Sequence, residues 1–202
     1  MVTFEQPGSD LQLDGIHHIT CITADAPGNV DFYARVLGLR FVKKTVNFDA
    51  PDVYHLYYGD ERGAPGSILT FFEFPGAAPG RAGAGMIHRL RWRVGSEEAL
   101  RFWGERLARE GADSSVDPGD QRALRFCDPE GLDLELAVLP SGDEPLVAAG
   151  DGIAPEHALL DRTVDRGERM LVLLRSPPEF PATSADGPRA EPDARYLEAG
   201  PA

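Results

Sequence analysis

Lysine is scarce in this chain. Lys43 and Lys44 are the two it has, and its 20 basic residues face 33 acidic ones, for a formal charge of −13. Phosphate neutralisation needs clustered Lys and Arg, so the balance argues against a nucleic-acid partner and for a small molecule. Cysteine is almost as rare. Cys21 and Cys127 lie far apart in no metal-binding or redox spacing, so a disulfide framework is excluded and both are expected to be reduced core residues. No apolar run reaches the roughly 18 residues that a membrane helix needs. Met1 to Asp14 has neither the basic segment nor the apolar stretch of a secretory signal, which leaves the cytoplasm as the expected location.

What is present is enough for a core. The 202 residues are 42% apolar, which suits one well-cored domain or two small modules packed together. Near the start, Gly15-Ile16-His17-His18-Ile19-Thr20 reads as a β-strand. Successive side chains of a strand point to opposite faces, so His17 and His18 cannot bind one metal together. Asp25 and Pro27 signal the start of a helix expected over Asn29 to Leu37, and Gly38 its left-handed stop. Strands follow at Leu39 to Phe48, Val53 to Tyr58 and Ser67 to Phe74. The order then repeats: a strand over Met86 to Val94, an amphipathic helix over Ser96 to Glu110 with Leu100, Trp103 and Leu107 on one face, and strands at Ala112 to Val116, Gln121 to Phe126 and Leu132 to Leu139.

The expected fold class is therefore α+β. Two paired βαβββ units, 15–76 and 86–140, form a curved mixed sheet with a shared concave cleft, preceded by an N-terminal segment 1–14 and joined by a Gly/Pro/Ala linker 77–85. The remainder, 141–202, holds eight of the 17 prolines, and Asp and Glu outnumber Arg there by 12 to six; a largely disordered tail is expected, with one strand available near Arg169 to Leu174.

Several blocks together resemble one known family. They are Gly15-Ile-His-His-Ile-Thr20, Val30-Asp-Phe-Tyr33, Phe41-Val-Lys-Lys-Thr-Val-Asn-Phe-Asp49, Tyr54-His-Leu-Tyr-Tyr-Gly-Asp60 and Gly63-Ala-Pro-Gly-Ser-Ile-Leu-Thr-Phe-Phe72, with a looser match at Asp128-Pro-Glu-Gly-Leu-Asp-Leu-Glu135. The resemblance is to the hydroquinone-type ring-cleaving dioxygenases of the vicinal oxygen chelate superfamily. It implies an Fe(II) (or Mn(II)) centre, a small aromatic substrate and O2. In that family the metal is held by the second histidine of the first-strand pair, here His18, plus a histidine and a glutamate from later units. Two histidines and one carboxylate on one face leave positions open for substrate and O2.

Counting register within the two units places His18, Thr70, Arg89 and Glu135 at equivalent cleft positions. His18 and Glu135 are the metal-ligand candidates, although Arg89 would more simply pair with Glu135 than face a cation beside it. A one-residue slip would bring His88 in place of Arg89. Tyr58, Thr70 and Arg89 are the substrate-binding candidates and His17 and His55 the catalytic ones, His17 on the helix-packed face as a supporting residue. Lys43 or Lys44 could meet an anionic substrate, and Glu73 has the parity of a solvent-facing residue. A possible homodimer would let a second chain donate missing ligands. A metal-free small-molecule binding module, an inactive remnant of a longer enzyme and, more weakly, a glyoxalase-type isomerase are the alternatives.

Overall fold

The structure, a computed structural model, describes residues 16–80, 87–138, 150–160 and 171–174. The N-terminal segment, part of the linker and most of the expected tail lie outside the described residues. The first unit opens with β1 (His18–Thr23), whose apolar alternation buries Ile19 and Cys21. Asp25 then caps helix α1 (Ala26–Val30) by accepting from the Gly28 amide at 3.2 Å. The helix starts three residues before the expected Asn29, because Pro27 fits a first turn that needs no N–H donor and because a carboxylate from another strand supplies a second cap. That carboxylate is Glu73, which accepts from the Ala26 amide at 2.9 Å instead of facing solvent. The chain continues as a wider π-helical run, Asp31–Val36, in which the Leu37 amide reaches back five residues to the Phe32 carbonyl. Gly38, at φ 72°, turns it into β2 (Arg40–Val46), β3 (Tyr54–Gly59) and β4 (Ile68–Glu73).

The second unit repeats the pattern. It comprises β5 (Ile87–Val94), α2 (Glu97–Arg109), β6 (Ser114–Asp117), β7 (Asp120–Cys127) and β8 (Asp133–Val138). Ser96 caps α2 through the Ala99 amide at 3.1 Å, and Leu100, Trp103 and Leu107 bury its apolar stripe. The strands form two mixed sheets, ordered β1-β4-β3-β2 and β6-β7-β8-β5, with β1–β4 and β5–β8 the corresponding parallel pairs. A further strand, β9 (Leu171–Leu174), lies antiparallel to β5 and extends the second sheet beyond the expected four strands.

The helix-packed faces of both sheets share one core. At its centre the Tyr33 hydroxyl donates to Asp128 Oδ2 at 2.9 Å, both groups buried. Asp128 Oδ1 meanwhile accepts from the amides of Glu130 and Leu132 at 2.9 and 2.8 Å, shaping the turn into β8. Alongside, Glu130 accepts from the Ala24 amide at 2.7 Å and from the Thr23 hydroxyl, and the Arg106 guanidinium donates to the Val36 and Arg35 carbonyls at 2.8 and 2.7 Å.

Composition assigned 150–160 to the tail, yet it packs on this core. The Trp103 indole donates to the His157 carbonyl at 2.8 Å, His157 stacks on Phe102, and Ile153 seats against Gly38, where a Cβ would come within 2.5 Å of its Cδ1. A few apolar anchors at the right spacing outweigh a polar average. Among the described residues no helix is long and apolar enough to cross a membrane.

Tyr33→Phe removes one partner of a buried carboxyl and should cost about 1–3 kcal/mol. Urea unfolding should show a lower midpoint at unchanged slope; an unchanged midpoint would mean that the Tyr33–Asp128 bond adds nothing to stability.

Candidate functional site

Pairing register decides which side chains share a face. Thr20 pairs with Thr70, Thr70 with Tyr57 and Tyr57 with Lys43; in the next row Ile22 pairs with Phe72, Phe72 with His55 and His55 with Thr45. This face, which His18 shares by parity, is turned away from the helices. The His55 ring packs against those of Tyr57 and Phe72, tilted to both, with centroids at 4.1 and 4.0 Å, and its Nδ1 lies 2.8 Å from the Tyr57 hydroxyl. Burial, helped by the charges of His18 and Lys43, pushes the imidazole down to about 4, so it is neutral at physiological pH. Burial also lowers His18, with His17 adding to the effect. The Lys43 ammonium sits 4.4 Å over the Tyr57 ring.

Several expected positions change. Tyr58 lies on the opposite face of β3, fully buried, with its hydroxyl donating to Asn29 Oδ1 at 2.8 Å; it cannot touch a ligand on the histidine face, and Tyr57 takes that place. Register with β4 sets this parity, and two adjacent tyrosines in a sequence do not reveal it. Thr70 has the expected parity, but it is fully buried and spends its hydroxyl on Thr20 at 2.9 Å. His17 precedes β1 and is exposed, not packed under the helix, with its Nδ1 3.1 Å from that of His18.

Arg89 and Glu135 belong to the second sheet. Arg91 pairs with Glu135 in register, so Arg89, Arg91 and Glu135 share a face, as the unslipped count requires; the side chain of His88 lies outside the described residues. Glu135 has no exposed surface. It is ion-paired to Arg89 at 3.2 Å, to Arg91, and to Arg125 at 3.5 Å. Arg89 also grips Asp133 at 2.6 Å, and Arg125 pairs with Asp117. Among the described residues no hydrogen bond, ion pair or ring contact links this network to His18 or His55. A groove of about 750 Å³ runs between the π-helical run and β7, lined by Asp31, Arg35, Glu110 and Cys127 among others, and includes neither histidine.

The described residues do not fit a metal by themselves. Among them no group of three or more His, Cys, Asp or Glu converges, and the one carboxylate expected to ligate is enclosed by three guanidiniums, which repel a cation. The structure places Glu135, expected as a ligand, as a buried anion among guanidiniums, and Arg89, expected as a substrate contact, as one of its ion-pair partners.

Residues 15–136 match the model of the Glyoxalase/Bleomycin resistance protein/Dioxygenase superfamily. MhqA of Bacillus subtilis (strain 168), provisionally named a ring-cleaving dioxygenase, is 38% identical over 203 residues, covering 94% of this chain and 63% of its own. The chlorohydroquinone/hydroquinone 1,2-dioxygenase of Sphingobium indicum is 32% identical over 189 residues, covering 87% of this chain and 58% of its own. A crystal structure of a provisionally assigned dioxygenase from Bacillus subtilis superposes with a TM-score of 0.66 at 40% identity, over 72% of this chain and 47% of the other. The chain spans about half the length of the curated relatives it matches.

Glu135→Gln should destabilise the fold by about 3–5 kcal/mol, since it leaves buried guanidiniums underpaired, and should leave any bound metal in place; loss of metal at full stability would restore Glu135 as a ligand. His55 should titrate near 4 by imidazole NMR. Its folded value lies below the ordinary one near 6.5, so as pH falls the unfolded chain takes the proton first. Stability from this group is complete above about 6.5 and is lost as pH falls through about 4.

Proposed function

The chain belongs to the Glyoxalase/Bleomycin resistance protein/Dioxygenase superfamily, and from that premise we propose that it serves ring cleavage of hydroquinone- or catechol-like aromatics by O2, in the cytoplasm. Kinship to MhqA over 94% of the chain carries the reading, and the placement of His18 on the helix-free face of the first sheet supports it. Fe(II), or Mn(II), is the metal the reading calls for, and His18 is the donor that the described residues would give it. The other donors come from outside those residues, through further polypeptide or a second copy in a homodimer.

The chain's own residues then do three things. His18 fixes where the centre forms. Phe72 and His55 line that face with aromatic surface against which a ring packs. His55, neutral and hydrogen-bonded to Tyr57, can hold or pass a proton at a substrate oxygen. Relatives that bear dioxygenase names do not favour the metal-free module or the isomerase.

The test is oxygen uptake with hydroquinone after anaerobic Fe(II) loading, with iron content measured in parallel, for wild type and His18→Ala. Wild type should consume O2 and retain iron, and the variant should lose both. Equal uptake and equal iron in the two proteins would overturn the reading.

A further inference from the structure

One buried nitrogen on the histidine face has no hydrogen-bond partner. The Tyr57 hydroxyl is hydrogen-bonded to the Thr45 side chain and lies 2.8 Å from His55 Nδ1; with Thr45 donating, the phenol proton is directed to Nδ1. A neutral imidazole that accepts at Nδ1 carries its proton on Nε2. That Nε2 is buried and has no hydrogen-bond partner. Buried donors are rarely left so in a finished fold, and an orphan of this kind indicates a group that arrives later.

The surroundings say what the group is. Phe72 and Tyr57 both pack against the imidazole, so the ring that carries Nε2 sits in aromatic surroundings. Register puts no Asp or Glu on this face of the four strands, whereas it does put Lys43 there, its ammonium 4.4 Å over the ring of Tyr57. In a chain of charge −13, a face with an ammonium, an N–H donor and no carboxylate reverses the local field. We propose that the Thr45–Tyr57–His55 relay and Lys43 form a site for an aromatic ring bearing an oxyanion, with His55 Nε2–H as a fixed donor to that oxygen and Lys43 as its counter-charge. The inference rests on the reading of this face as the ring-binding surface. It assigns His55 the task of donating a hydrogen bond and gives Tyr57 and Thr45 the task of setting its tautomer.

Calorimetry on the protein as purified, with no metal added, tests it using benzoate, 4-nitrophenolate and the neutral isostere benzamide. Both anions should bind at least about tenfold tighter than benzamide, as a charge-assisted pair predicts. The tighter of the two identifies whether a ring carboxylate or an ionised hydroxyl is the group read. Lys43 is exposed, so Lys43→Met should fold normally and reduce the preference to within about threefold. In parallel, imidazole ¹⁵N NMR at neutral pH should show His55 as the Nε2–H tautomer, and Tyr57→Phe should convert it to a mixture. Equal affinity for benzoate and benzamide in wild type, an unchanged preference in Lys43→Met, or an Nδ1–H tautomer would each overturn the inference. Binding is read without turnover, so failure of oxygen uptake would leave this result standing, and active enzyme without anion preference would remove this inference alone.

Discussion

The hydrogen bond from Tyr33 to Asp128 is the interaction on which the arrangement of the two units depends. Burial pushes the Asp128 carboxyl up, and bonds from Leu132, Tyr33 and Glu130 oppose that shift. One of its oxygens shapes the turn that launches β8, and the other holds the helical segment of the opposite unit. A side chain that closes a turn and also crosses between units couples local geometry to tertiary placement. With Glu130 on the end of β1 and Arg106 on the end of the π-helical run, it ties the helix layers of the units together and leaves the other face of each sheet to separate chemistry.

Those two faces differ in kind. On the second sheet, charge is internally compensated: a carboxylate with no exposure is held among arginines, a network with more structural than chemical consequence. On the first sheet the polar groups are sparse and aromatic-backed, the His55 imidazole is held neutral, and one of its nitrogens lacks a partner. Arg91 Nε, Arg125 Nε and Glu135 Oε1 also lack hydrogen-bond partners, but a ligand there must first break ion pairs already made, whereas the unpartnered His55 nitrogen has none to break. The functional reading therefore settles on the first sheet, although the sequence had distributed candidate residues over both.

Much of the fold was legible because its determinants are local. Asp25 and Ser96 announce helix starts through their own backbone geometry, Gly38 marks a left-handed stop, and alternation along His18–Thr23 separates the faces of a strand from sequence alone. The pairing of Arg89 with Glu135 was also readable, since two strands at equivalent positions of a repeat place their residues on corresponding faces. Other features were not readable. Glu73 had the parity of a solvent residue and became a cap because an amide from α1 came within reach. Ile153 and His157 sat in a polar stretch and became core contacts because Gly38 and Phe102 offered them places.

What the sequence determined by itself was the repeat, the caps and the alternation, since each depends on residues a few positions apart. Only the tertiary structure decided that Tyr57, and not Tyr58, lies on the histidine face. Parity on β3 is set by pairing with β4 more than ten residues away, and a shift of one residue would exchange the two faces. It likewise decided that Glu135 is enclosed by guanidiniums, because Arg91 and Arg125 reach it from neighbouring strands, and that His55 is held neutral, because its burial and charges come from residues remote in the chain.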